Sequence, residues 1–179
     1  GVYTKKRLFP FVERLPIIPG LDWAKRGYTP GSGGTLLHIE NVGNLALLSC
    51  IEIENDTLLN KYITAEPTVI LTGGSEIGFN ENARKYQLRL TRFRAIEQSK
   101  YVARATKQGF SAIVNPFGKI ISIVKDSNKD EVIFSDIYLR NKKSFYSIIG
   151  EVPILIASLI LVIAGILKTK SAKMPTNQS

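Results

Sequence analysis

Leu45-Ala46-Leu47-Leu48-Ser49-Cys50-Ile51-Glu52-Ile53-Glu54-Asn55-Asp56-Thr57 is a short apolar run that leads into the chain's only cysteine and then turns acidic. An apolar run closed by Asn, Asp and Thr has the pattern of a buried strand turning into a helix. At such a turn a thiol stands at a strand end and beside the positive end of a helix, where a thiolate is favoured. Two readings of Cys50 follow. It is a nucleophile held at that turn, or a small buried hydrophobe of the kind most lone cysteines are.

Working outward, 179 residues are enough for one domain with a real core, and a single cysteine excludes an internal disulfide framework. The formal charge of +9 suits anionic partners, either nucleic acid or phospholipid headgroups. No element stacks basic and aromatic residues together, which argues against nucleic acid. Part of the charge sits in a C-terminal tail with Lys168, Lys170 and Lys173. The chain opens Gly1-Val2-Tyr3, with neither Met nor a signal peptide, and reads as the C-terminal part of a longer protein.

Residues 1–18 hold Lys5, Lys6 and Arg7 ahead of Pro10 and Pro16, an irregular or edge segment. Glu13 lies there among apolar neighbours, either functional or simply solvated. Residues 19–34 form a long Gly/Pro loop carrying Trp23 and Tyr28. Its GSGG lacks the Gly-Lys-Ser/Thr of a phosphate loop. His38 is the only histidine, so no metal site is expected. Strands are expected at 35–40 and 45–50 around an Asn-Val-Gly-Asn turn, then a short helix at 56–63 and a buried strand at 67–72. A helix of about five turns should cover 80–99, with Ala83, Tyr86, Leu90, Phe93 and Ile96 as its apolar face and Arg84, Lys85, Arg89, Arg92 and Arg94 on the solvated sides. Four strands should follow at 101–106, 110–115, 119–124 and 131–139. Helices alternating with strands, then a run of strands, predict a layered α/β domain.

The end differs in kind. Residues 152–167, VPILIASLILVIAGIL, carry no charge, and with their flanks they near the ~20 residues that span a bilayer. A buried helix competes, since the uncharged part is short. The Lys-rich tail behind it favours a spanning helix with that tail in the cytoplasm and the α/β domain on the far side. Domain boundaries are therefore expected at 1–143 for the α/β part, 144–168 for linker and transmembrane helix, and 169–179 for the basic tail.

Several blocks resemble one family in order. Tyr3-Thr4-Lys5-Lys6-Arg7-Leu8-Phe9-Pro10-Phe11-Val12-Glu13 resembles its Y-x-K-x-x-L-V-P-F-G-E segment, and Cys50-Ile51-Glu52 its C-Y-E. Arg92-Phe93-Arg94-Ala95-Ile96-Glu97 is similar to R-x-R-A-x-E, residues 104–112 to R-S-T-N-x-G-I-T-A, and Pro116-Phe117-Gly118 to P-x-G. The family is the bacterial apolipoprotein N-acyltransferases, a membrane-anchored branch of the nitrilase (carbon–nitrogen hydrolase) superfamily. The resemblance implies a partial, C-terminal nitrilase-like layered sandwich followed by one transmembrane helix. It implies location in the bacterial inner membrane with the catalytic domain on the periplasmic side, a monomer, and no cofactor.

It also implies roles. Cys50 would attack the acyl ester of a phospholipid and form a thioester. Lys5 would activate the thiol and stabilise the oxyanion together with the N–H after Cys50. Glu13 and Glu52 match two further carboxylates near the site. The acyl group would pass to the α-amino group of a diacylglyceryl-modified apolipoprotein. The triad's glutamate, the general base, lies upstream of the lysine segment in the family and outside this chain. The family's S-N-D-x-W-F-G stretch stands here as Thr72-Gly73-Gly74-Ser75-Glu76-Ile77-Gly78-Phe79, and Ile51 and Val12 replace a Tyr and a Gly. Two other functions stay open: a nitrilase-type amidase acting on a small amide, and a non-catalytic, membrane-anchored relative. Loop 19–34, with Leu21, Trp23 and Tyr28, is read either as a gate resting on the outer leaflet or as an ordinary surface loop.

Overall fold

In a computed structural model of the chain, residues 3–9, 13, 28–32, 36–55, 58–59, 68–124, 130–140 and 142–172 are described, the side chains of 169–172 excepted. Two compact units result, Gly1–Ser144 and Phe145–Ser179. The first is built on one six-stranded mixed sheet in chain order: β1 (Leu36–Ile39), β2 (Gly43–Ser49), β3 (Val69–Ser75), β4 (Tyr101–Lys107), β5 (Ala112–Val114) and β6 (Ile120–Ile123). The pairs β2/β3 and β3/β4 are parallel, and β1/β2, β4/β5 and β5/β6 antiparallel. Parallel neighbours need crossovers. Residues 50–68 supply the first, opening with a 3-10 helix at Cys50–Glu54, and helix α1 (Glu81–Gln98) supplies the second. The α/β layering matches the expectation, and the early strands fall within a few residues of it.

The main core lies between the sheet and the crossover segments. Ala46, Leu48, Ile70, Val102, Ala112 and Val114 of the strands meet Ile53, Leu58, Leu59 and Ala95. On the other sheet face Leu45, Val69 and Tyr101 pack with Leu37, Leu71 and Ile137. α1 is capped as its sequence dictates: Asn80 Oδ1 accepts from the Ala83 N–H at 2.9 Å, and Ser99 closes the helix in the left-handed region. Of the helix at 56–63, only Leu58 and Leu59 are described, both helical and buried, with the Leu58 N–H donating to Asn55 Oδ1 at 3.0 Å.

Two expectations are corrected. The apolar stripe of α1 does not face the sheet: Tyr86, Phe93 and Ile96 are exposed, and Thr91, Arg94, Ala95 and Gln98 are buried instead. The surface beneath α1 includes backbone carbonyls of the 3-10 turn, so polar side chains that reach them outcompete the apolar set. Residues 131–139 are no strand. Ile133, Ser135 and Ile137 alternate in burial with Phe134, Asp136 and Tyr138, yet the segment joins no ladder. Period-two alternation specifies an extended chain over a surface; a strand also needs a partner edge.

In the second unit, α2 (Phe145–Ile149) leads to α3 (Val152–Ala172). Every residue from Val152 to Lys168 is exposed. Among the described residues no helix is long and apolar enough to cross a membrane. The uncharged part, 152–167, measures about 24 Å at about 1.5 Å per residue, against a hydrocarbon core of about 30 Å. The expected spanning helix is therefore not supported by the structure.

Candidate active site

Cys50 follows β2 directly and opens the 3-10 helix. Its φ is 54°, a left-handed conformation that a non-glycine residue adopts at a cost of about 1–3 kcal/mol. The thiol is free and half-buried. What over-determines this conformation lies two residues on. Glu52 is fully buried, and its carboxylate accepts four hydrogen bonds. Oε2 takes the Ser49 N–H at 2.8 Å and the Tyr3 hydroxyl; Oε1 takes the Lys6 N–H at 2.7 Å and the Arg7 N–H at 2.9 Å. One side chain thus closes the cysteine turn on itself and ties it to residues 3–7. All its lone-pair positions are used, so Glu52 holds geometry and has none left for a substrate proton.

Residues 3–7 carry the candidate lysine. Lys5 is partly buried and Lys6 is exposed. The Lys5 ammonium donates to Glu13 Oε1 at 2.9 Å and Oε2 at 2.6 Å, and the Phe9 N–H donates to Oε2 at 2.7 Å. Burial alone would push the Glu13 carboxyl up; the Lys5 ammonium and the Phe9 N–H outweigh it and hold Glu13 below the usual carboxylate range. The hydrogen bonds of Lys5 Nζ among the described residues end on Glu13, and none runs to the Cys50 sulfur. A bidentate carboxylate is the stronger partner for an ammonium than a thiol is. Residues 28–32 cross this segment: the Gly31 N–H donates to Lys5 O at 2.7 Å and the Tyr28 N–H to Glu13 O at 2.9 Å. A Cβ on Gly31 would meet Thr4 Cβ at 2.4 Å, so only glycine fits there. Of the loop 19–34, residues 28–32 are described, with Tyr28 exposed, while Leu21 and Trp23 lie outside the described residues.

The turn is also held from α1. Buried Arg94 donates through Nε to Ile53 O at 2.8 Å and through Nη2 to Glu54 O at 3.2 Å, while pairing with Glu97. Gln87 Nε2 donates to Glu54 Oε1 at 2.5 Å. Composition placed Arg94 on a solvated face; the only sign of its role in the sequence was its place in the R-x-R-A-x-E resemblance. β3 approaches from the other side. A Cβ on Gly74 would lie 3.0 Å from both Cα and Cβ of Cys50, so any side chain there would press on the cysteine turn. A cavity of about 20 Å³, room for about one water-sized group, lies beside the thiol, lined by Cys50, Ser75, Glu76, Arg104 and Thr106 among others. Glu76 and Arg104 form a buried ion pair that sequence reading did not single out. Among the described residues no cluster of three or more His, Cys, Asp or Glu could hold a metal ion.

A free thiol on a strained strand-to-helix turn, with a lysine–carboxylate pair tied to the same turn, is an arrangement for covalent acyl chemistry. The carbon–nitrogen hydrolase family model matches residues 1–144. Relatives include the apolipoprotein N-acyltransferase of Synechocystis sp., 29% identical over 99% of this chain and 35% of its own length. That of Prochlorococcus marinus is 29% identical over 93% of this chain and 34% of its own. The chain thus spans about a third of the length of the curated relatives it matches. Among solved structures, the amidase from Nesterenkonia sp. AN1 superposes with a TM-score of 0.52 at 19% identity, covering 68% of this chain and 46% of the amidase, a likeness of fold. With four-fifths of its length matched by the family model, the chain belongs to the carbon–nitrogen hydrolase family.

Proposed function

We propose that the chain is the cysteine-bearing part of an apolipoprotein N-acyltransferase. The observation that carries this is the four-bonded Glu52, which locks the Cys50 turn to the segment bearing Lys5 and Glu13. The names of the relatives support this substrate class. Cys50 Sγ attacks the ester carbonyl of a phospholipid; a C–S bond forms, the C–O bond breaks, and the lyso-lipid leaves with a proton. The α-amine of a diacylglyceryl apolipoprotein then attacks the thioester; a C–N bond forms, the C–S bond breaks, and the thiol regains a proton. Lys5 provides the cation on the side of the developing oxyanion, Glu13 orients it, and Glu52 positions the turn.

The setting that fits is a bacterial inner membrane. The uncharged, wholly exposed stretch 152–167 of α3 is the element suited to lipid. The protein acts as a monomer and without a cofactor. In the full-length protein, Cys50→Ala is expected to abolish N-acylation of a diacylglyceryl peptide, and Lys5→Arg to fail nearly as badly as Lys5→Ala, since a planar guanidinium does not replace a compact ammonium. Hydrolysis of small aliphatic amides by the native protein, with no peptide acylation, would favour an amidase and overturn the assignment. A protein inert in both assays would favour a non-catalytic relative.

A further inference from the structure

The stretch where the chain departs from the family's S-N-D-x-W-F-G includes Glu76, and the structure gives that residue a specific partner. Glu76 is 4% exposed and Arg104, on β4, 6% exposed. Arg104 Nη2 donates to Glu76 Oε1, and Nη1 lies 3.4 Å from Thr91 Oγ1 on α1. One glycine makes room for this arrangement: a Cβ on Gly109 would fall 1.9 Å from Glu76 Oε2. Both side chains line the cavity that holds the Cys50 thiol, and each has one buried atom, Glu76 Oε2 and Arg104 Nε, without a hydrogen-bond partner among the described residues. A buried ion pair with unfilled valences is an expensive feature, and hydrophobic replacements of its volume are often neutral or better. Its place beside the nucleophile suggests what it is kept for.

We propose that Glu76 and Arg104 are positioning residues for the covalent step, Arg104 holding a fixed positive charge within reach of Cys50 Sγ and Glu76 holding that guanidinium in place. The proposal rests on Cys50 being the nucleophile. Attack puts negative charge on sulfur and then on the carbonyl oxygen, and a cation fixed in a poorly solvated cavity stabilises it without reorganising. Burial pushes the Arg104 guanidinium down and the Glu76 carboxyl up; their mutual attraction opposes both shifts, and the neighbouring Cys50 also favours the charged guanidinium. The other charges at this place are accounted for. Glu52 is saturated by hydrogen bonds, Lys5 pairs with Glu13, Arg94 with Glu97, and Arg84 adds a weaker attraction to Glu76.

Cys50 is the only cysteine of these 179 residues, so charge-selective alkylation, followed on the proteolytic peptide that contains it, reads the local potential at one atom. The ratio of the alkylation rate with iodoacetate, an anion, to that with iodoacetamide, neutral and of similar size, is measured on the full-length protein. Glu76→Gln is expected to raise this ratio about threefold or more, and Arg104→Gln to lower it by a similar factor. Arg104→Lys, which keeps the charge, is expected to stay within about twofold of the native value. Loosened packing would move both glutamine variants the same way, so opposite directions are the signature of charge. Ratios for both that remain near native, or that shift together, overturn the proposal. If circular dichroism shows Arg104→Gln unfolded, Glu76→Gln alone decides, an unchanged ratio sinking the idea. Full acyl transfer by Cys50→Ala would instead end the nucleophile assignment and leave the alkylation ratios untouched.

Discussion

Cys50 sits at a φ of 54° because Glu52 leaves it no alternative: the carboxylate that caps Ser49 also grips Lys6 and Arg7. Glu52→Gln keeps the volume and one acceptor oxygen but turns the other into a donor facing N–H or O–H donors. The expected cost is about 2–4 kcal/mol in denaturant unfolding, with near-complete loss of activity. Equal stability and activity would mean the four bonds do not matter. Glu13 makes a pH prediction. Its folded carboxyl is held below its unfolded value, so its contribution is fully present above the ordinary glutamate range and is lost as pH falls through and below it. Urea midpoints of the native protein should therefore drop on acidification by an increment that Glu13→Gln, already lacking it, does not show. At this scale the sequence was informative for Cys50, Lys5, Glu13 and Glu52, since each stands in a short block whose order resembles the family. Glu76 and Arg104 also stand in quoted stretches, but nothing in the sequence pairs them across 28 positions. Only the parallel pairing of β3 with β4, which sets Thr72 beside Arg104, brings them together.

α1 is the element on which periodicity misled. Its apolar residues Tyr86, Phe93 and Ile96 recur at helical spacing and are exposed, while Arg94 is buried on carbonyls of the cysteine turn. Helical spacing of apolar residues predicts burial only against an apolar surface, and here the docking surface presents hydrogen-bond acceptors. Arg94→Ala leaves Ile53 O and Glu54 O without that donor and is expected to cost about 2–4 kcal/mol. Phe93→Ser, on the exposed side, should stay within about 0.5 kcal/mol. Equal costs in thermal or urea unfolding would contradict the buried face described. The end of β3 carries a second element-scale expectation. Gly74→Ala places a methyl 3.0 Å from backbone and Cβ of Cys50, so the turn must shift by a few tenths of an ångström. Activity should fall at least tenfold with little change in unfolding midpoint, since catalysis is far more sensitive to placement than stability is. Residues 131–139 show the limit of pattern from the other direction: the alternation is present in their burial, and no strand edge pairs with it.

Across the whole molecule, the alternation of strands with crossovers made the α/β class legible, because each apolar run and each cap is local. Function was legible only through the resemblance, since the nucleophile, the lysine–glutamate pair and the buried Arg104 come from three separate stretches that the sheet assembles. α3 was read from composition alone, and its 16 uncharged residues fall short of a bilayer's thickness, which is why lipid contact for this helix is a proposal. The central claim is that the acyl group rests on Cys50 between donor and acceptor, and it has a direct measurement. The full-length protein is incubated with a phospholipid of defined chains and no acceptor, then its intact mass and proteolytic fragments are determined. The account expects one added acyl group, lost on treatment with neutral hydroxylamine, on the peptide containing Cys50, and absent in Cys50→Ser as a thioester. An acyl group found on another residue, or none in a preparation that transfers acyl chains, would contradict it.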